Sequence, residues 1–253
     1  MQLHYKKYGN GEQPFIILHG LLGMLDNWNT IGKQLPEHFC VYLIDQRNHG
    51  RSPYSDEHCY QAMVDDLLEF VDENNLQEII LIGHSMGGKT AMKFAQNHPE
   101  YVQKLVVVDI GPKYYPIKHD DLLKGIQAVD LNIVNSRKQA EKILEKYIAD
   151  FAERQFLLRN LYWIEKGKLA WRFNLQAIAK NIENIGEETN DRMFGEPTLF
   201  IRGEKSDYIL EKDIDAISLT FPNAEFVTIK KAGHWVHAEN PQVFLEELLK
   251  FIR

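Results

Sequence analysis

The six residues Gly83-His84-Ser85-Met86-Gly87-Gly88 constrain this chain more than any other feature. They follow the apolar run Ile79-Ile80-Leu81-Ile82 and precede Lys89-Thr90-Ala91-Met92-Lys93-Phe94-Ala95, whose apolar residues fall at helical spacing. A strand that turns this abruptly into a helix holds its central serine in a strained backbone conformation, and side chains two residues to either side would collide. Glycine at 83 and 87 removes the collision. The Ser85 hydroxyl is then expected to stand above the edge of a sheet, with the first amides of the following helix aimed at the same place. A glycine-rich turn without chemistry is the plain alternative, and the strand and helix in the required order argue against it.

Short runs rich in Val, Ile, Leu and Phe recur at 15–18, 39–44, 78–82, 104–108, 197–201 and 224–229. Residues 60–73, 86–97 and 241–252 carry apolar side chains at helical spacing. Strands this uniformly apolar are covered on both faces, so the pattern predicts an α/β fold with a mostly parallel sheet flanked by helices. Residues 3–8 alternate and Asn10-Gly11 offers a turn, so 3–18 reads as a β-hairpin. The alternation then stops, because Asp109 and the strand opening at Pro197 lie much further apart than a crossover helix requires. That interval reads as a helical insertion, with helices at 137–149, 153–161 and 175–185 and a turn at Lys166-Gly167-Lys168. The expected organisation is a core of residues 1–112 and 197–253 with a helical cap of residues 113–196. Gly111-Pro112 and Gly195-Glu196-Pro197 read as its hinges.

At 253 residues and 44% hydrophobic, the chain has ample material for such a core. A net charge of -7 makes nucleic acid and anionic membranes poor partners. No run approaches the roughly 18 apolar residues of a membrane span, and Met1 to Gly9 contains no apolar leader. Cys40 and Cys59 read as reduced thiols. These points lead us to expect a cytoplasmic monomer or homodimer acting on a small molecule.

A serine hydroxyl needs a base, and ten histidines compete for that role. His234, in Ala232-Gly233-His234-Trp235-Val236-His237-Ala238-Glu239, follows the strand at 224–229 and so lies on a loop at the carboxyl edge where Ser85 emerges. His237, three residues on, is expected to pack or cap the last helix. A metal site from His234, His237 and Glu239 lacks a supporting cluster, so no metal or cofactor is expected. The loop His19-Gly20-Leu21-Leu22-Gly23 follows an apolar strand, which assigns the oxyanion hole to the backbone amides of Leu21 and Met86. His19 itself is expected to hold that loop. Two aspartates compete for the acid. Asp109 ends the strand beside the nucleophile strand, so its carboxylate opens onto the same edge and reaches the second nitrogen of His234. Asp207, in Gly203-Glu204-Lys205-Ser206-Asp207-Tyr208, is the alternative, with Ser206 just before it. The balance favours Asp109.

The elbow at 83–88, the loop at 19–23, the segment Asp45-Gln46-Arg47-Asn48-His49-Gly50-Arg51-Ser52 and the motif at 232–239 together resemble the α/β-hydrolase superfamily. They resemble most closely the YbfF-type bacterial acyl esterases. The likeness spans the whole chain and includes Trp171-Arg172-Phe173-Asn174. It implies an eight-stranded core with a helical cap over the active site, and hydrolysis of acyl esters or thioesters without a cofactor. It also implies a place for Ser206: many relatives carry the acid in that slot, whereas the YbfF-type enzymes put serine there and the acid after the earlier strand.

Two other classes compete. A lyase or carbon-carbon hydrolase of the menaquinone-pathway synthase type calls for cations around a dicarboxylate, and Arg137, Arg154, Arg159 and Arg172 declare no cluster. A ligand-binding receptor with vestigial hydrolysis is the second. Trp163, Trp171 and Tyr115 are candidates for the acyl pocket, with at least one tryptophan expected in the insertion's own core. Arg47 and Arg51 read as loop ties, and Lys113 and Lys118 as a solvated face.

Overall fold

The structure, a computed structural model, describes residues 1–116, 120–190 and 192–253. Its strands are β1 (Tyr5–Tyr8), β2 (Gln13–Leu18), β3 (Phe39–Ile44), β4 (Ile79–His84), β5 (Val102–Val108), β6 (Leu161–Glu165), β7 (Lys168–Trp171), β8 (Thr198–Gly203) and β9 (Ala224–Ile229). Its α-helices are α1 (Asn29–Gly32), α2 (Tyr60–Glu73), α3 (Met86–Asn97), α4 (Asp120–Ala128), α5 (Arg137–Leu144), α6 (Phe151–Leu158), α7 (Leu175–Lys180), α8 (Ile214–Thr220), α9 (Val236–Glu239) and α10 (Pro241–Ile252). Lys118 lies outside the described residues.

The main sheet runs β1-β3-β2-β4-β5-β8-β9 and is parallel except for β1. Among the described residues it has seven strands, one fewer than the family resemblance implies, because the chain ahead of β2 supplies the single antiparallel edge strand β1. The expected hairpin is absent: β1 pairs with β3, Tyr5 opposite Ile44 and Tyr8 opposite Val41, so β3 lies between β1 and β2. Parallel pairing of β2 on both sides, which buries Phe15, Ile16, Ile17 and Leu18, outweighs the local turn preference of Asn10-Gly11. The link instead passes the end of β3, where a Cβ on Gly9 would sit 2.3 Å from the Phe39 carbonyl oxygen. Gly9 also has φ +69, a conformation glycine adopts without strain.

Alternation along each strand divides the core. Ile16, Leu18, Leu81 and Val107 face Phe70 of α2 and Phe94 of α3. Phe15, Ile17, Ile82 and Val108 face Trp28 and, on α10, Phe244 and Leu248. Each such fully buried side chain stabilises the fold by roughly 1.5–3 kcal/mol relative to exposure. The helix patterns at 60–73, 86–97 and 241–252 correspond residue for residue to α2, α3 and α10.

Between β5 and β8 the insertion builds its own apolar cluster from Ile126, Leu144, Leu157, Leu161, Trp171 and Ile178, into which Leu22 of the core projects. It is not wholly helical. β6 and β7 form an antiparallel ribbon turning at Gly167, whose φ of +86 suits a residue without a side chain. The helices α5, α6 and α7 are also shorter than the periodicity predicts, and each of these three is fixed at its start by a side-chain cap. Ser136 accepts from the Gln139 amide, Asp150 from that of Glu153 and Asn174 from that of Ala177.

One buried cation joins core and insertion. Lys89 on α3 is 1% exposed, and its ammonium donates to the carbonyls of Lys113 (2.8 Å), Gly186 (3.4 Å) and Glu187. Burial pulls this ammonium down to about 7. The helix that follows Ser85 is thereby tied to both ends of the insertion.

Candidate active site

Ser85 sits between β4 and α3 with φ 52 and ψ -119, and its amide donates to the Val108 carbonyl at 3.0 Å. A non-glycine residue in this region costs about 1–3 kcal/mol and persists because its neighbours fix it. A Cβ on Gly83 would lie 2.1 Å from the Gly87 carbonyl oxygen, and one on Gly87 2.5 Å from that of His19. The steric reading of the two glycines therefore holds in space. Gly20 belongs to the same set, since a Cβ there would meet the Ser85 Cβ at 3.2 Å.

Asp109 follows β5, also at positive φ (50), and is fully buried. Its Oδ1 accepts from the Gly203 amide at 3.0 Å. Its Oδ2 accepts from the Ser206 hydroxyl at 2.5 Å and from His234 Nδ1 at 2.7 Å. Three donors thus satisfy a carboxylate that is sealed from water. With Nδ1 donating, Nε2 of His234 is the basic nitrogen. Asp207 is exposed at the cavity wall and makes no hydrogen bond to His234 among the described residues.

Ser85 and His234 line one cavity of about 1010 Å³. Leu21 and Met86 line it too. The amides of Leu22 and Gly23 are engaged, the first with His49 Nε2 at 3.0 Å and the second with the Gly20 carbonyl at 3.0 Å. The Leu21 amide has no acceptor among the described residues, and that of Met86 is the first of α3, a position with no intrahelical partner.

The loop is held by two neutral histidines. His19 Nε2 accepts from the Gln46 amide at 3.0 Å while Nδ1 donates to the Gly20 carbonyl at 2.8 Å. His49 Nδ1 donates in the same way to the Arg47 carbonyl at 2.8 Å. Burial pulls His19 down to about 4 and His49 to about 3. The role of His49 escaped the sequence reading, although it lies in the motif at 45–52. Arg47 is a loop tie, bidentate to Asp66 at 2.6 and 3.0 Å, and the exposed Arg51 side chain approaches Asp26.

His237 packs its ring on Trp28 with centroids 3.9 Å apart, and burial pulls it down to about 3. Glu239 accepts from the amides of Gly233 (2.8 Å) and Trp235 (3.2 Å), so it shapes the His234 loop.

Of the pocket candidates only Tyr115 lines the cavity. Trp171 stacks on Phe173 inside the insertion's cluster, and Trp163 is 49% exposed on β6. The ribbon carries both away from the site, and the insertion's wall comes instead from Leu122 of α4 with Phe151 and Phe156 of α6. Trp235, beside His234, packs on Phe156. The arginines do not converge: of the four only Arg159 lines the cavity, while Arg137 and Arg154 donate to backbone carbonyls and Arg172 lies over Tyr162. Lys113 lines the cavity paired with Asp213 at 2.5 Å.

Comparison with known proteins places this geometry in a family. The profile described as alpha/beta hydrolase fold matches residues 13–157. A solved structure of a marine microorganism esterase superposes with a TM-score of 0.95 at 44% identity, covering 99% of each chain. The sn-1-specific diacylglycerol lipase ABHD11 of Danio rerio is 38% identical over 97% of this chain and 80% of its own. Esterase YbfF of Escherichia coli (strain K12) is 33% identical over 96% and 94%. The chain belongs to the α/β-hydrolase fold family.

Proposed function

We propose how this carboxylic ester hydrolase works: Ser85 is the nucleophile, His234 its general base, and Asp109 the carboxylate that orients the base and stabilises its positive charge. The observation that carries the reading is the 2.7 Å contact between His234 Nδ1 and a buried Asp109 that Ser206 and Gly203 also hold. His234 Nε2 takes the Ser85 proton as Oγ bonds to the acyl carbon. The tetrahedral oxyanion is received by the amides of Leu21 and Met86, positioned where charge develops. The imidazolium then protonates the departing alcohol as its bond to carbon breaks, leaving an acyl-enzyme that water hydrolyses by the same route. A thiol leaves by the same steps, so acyl thioesters fall within the proposed range.

Residues 113–196 act in this reading as a cap over the site, supported by their separate cluster and by the wall they contribute. No helix among the described residues is long and apolar enough to cross a membrane. The free thiols Cys40 and Cys59 suit a reducing compartment, and we place the protein in the cytoplasm. A serine-directed phosphonate tests the reading: it is expected to label Ser85 rapidly and abolish turnover of a p-nitrophenyl ester. Slow or absent labelling would favour a receptor instead.

A further inference from the structure

Asp109 governs one edge of the His234 imidazole, and what touches its face is a separate matter. Tyr208 stacks on it with ring centroids 4.2 Å apart and planes 18° from parallel. His84 packs nearby at 4.7 Å, tilted by 43°. His84 is buried, held far below its usual range, and donates Nε2–H to the His234 carbonyl, so it brings no charge. His237 is likewise neutral, and among the described residues of the insertion Glu153 on α6 interacts electrostatically with His234.

Tyr208 is held by its backbone rather than by its hydroxyl. Its amide donates to Ser206 Oγ at 3.3 Å, and its carbonyl accepts from the Tyr115 hydroxyl at 2.7 Å. That hydroxyl in turn accepts from the Gly111 amide at 2.8 Å, two residues after Asp109. The ring is thus fixed to both loops that meet at Asp109. Burial and the charges of Asp109 and Asp207 push the phenol up to about 12, so it remains a neutral ring at working pH. A neutral aromatic face is negative, and it attracts a cation lying over it.

We propose that Tyr208 is a positioning residue of the reaction, its ring face stabilising His234 in the protonated form that arises once Ser85 has given up its proton. The proposal rests on the assignment of Ser85 and His234 above. Tyr208 exchanges no proton. The proton passes from Ser85 Oγ to His234 Nε2 and then to the leaving oxygen, while the ring face opposes the positive charge at each passage.

The test places phenylalanine, and then phenylalanines of increasing ring fluorination, at position 208. Shape is nearly constant along this series while the face loses its negative character. Tyr208→Phe is expected to keep kcat within about twofold. Full fluorination is expected to lower kcat for a p-nitrophenyl ester about three- to tenfold with KM little changed. It also moves the acidic limb of the kcat/KM profile to lower pH by about half to one unit, because protonating His234 becomes harder. A series flat in both kcat and limb position overturns the proposal. Ser85→Ala and Asp109→Asn run in parallel separate the two failures: if they retain turnover the underlying mechanism is wrong, and if they lose it while the series is flat only the Tyr208 proposal falls.

Discussion

His234 Nδ1 lies 2.7 Å from Asp109 Oδ2, a contact between residues 125 positions apart. It depends on two local features, the positive φ of 50 at Asp109 and the Glu239 side-chain carboxylate that gathers the amides of Gly233 and Trp235. Asp109 is positioned by the β5–β8 register, since its amide donates to the Ile201 carbonyl at 2.8 Å. The carboxylate that orients the imidazole is therefore fixed by the sheet, while Glu239 holds the loop that carries the imidazole.

The acid assignment predicts an asymmetry between two conservative variants. Asp109→Asn removes the charge that fixes the Nδ1–H tautomer, and kcat is expected to fall about 10³- to 10⁴-fold. Asp207→Asn alters an exposed carboxylate and is expected to change kcat less than about threefold. Steady-state kinetics on one chromogenic ester compares them directly.

Acid stability follows from the buried histidines. His19, His49, His58 and His237 are each depressed to about 3 or 4, and His84 is held well below its usual range, all chiefly by burial. Below about pH 6.5 the unfolded chain binds protons at these sites while the folded chain does not, so stability falls as pH drops. Urea midpoints measured from pH 8 to pH 4 are expected to fall gently down to about pH 7, where the depressed Lys89 ammonium lags the unfolded chain by at most one proton. They then decline with a slope of more than one proton taken up per unfolding event.

Lys89 predicts a stability effect at a distance from the chemistry. Lys89→Met keeps the length of the stem but removes the donor shared by Lys113, Gly186 and Glu187. Leaving those carbonyls short of a partner is expected to cost about 1–3 kcal/mol. Limited proteolysis should show faster cleavage near both ends of the insertion, while the wild-type chain resists at the same protease dose.

Aromatic placement supplies a fourth expectation. Trp163→Ala, on the exposed ribbon, is expected to leave kcat/KM and thermal stability nearly unchanged. Phe156→Ala, in the cavity wall against Trp235, is expected to alter the acyl-length dependence of kcat/KM across p-nitrophenyl esters.

These contrasts mark what the sequence made legible. The Gly83 and Gly87 collisions, the α2 and α10 periodicities and the edge shared by Ser85, His234 and Asp109 follow from local sterics and parallel topology. The partner of β1 did not, because Asn10-Gly11 records that the chain turns and carries nothing about β3 entering between β1 and β2. The ribbon at 161–171 was hidden for a similar reason, since its strands are short and mixed in character. Trp171 lies in the insertion's core, as expected for at least one tryptophan, whereas Trp163 as a pocket candidate misled because an aromatic side chain carries the same sequence signature in a pocket, a core or an exposed ribbon. Tyr208 on His234 could not be read at all, for a ring stack depends on the tertiary approach of two loops.

The mechanism requires an acyl group carried on Ser85. Rapid acid quench of the enzyme with a slowly deacylating p-nitrophenyl ester, followed by intact-mass and peptide analysis, tests it most directly. The expected result is a mass increase of one acyl group located on Ser85, formed with a stoichiometric burst of p-nitrophenol and absent in Ser85→Ala. Turnover without any acylated species, or an acyl group on another residue, would exclude Ser85 as the nucleophile.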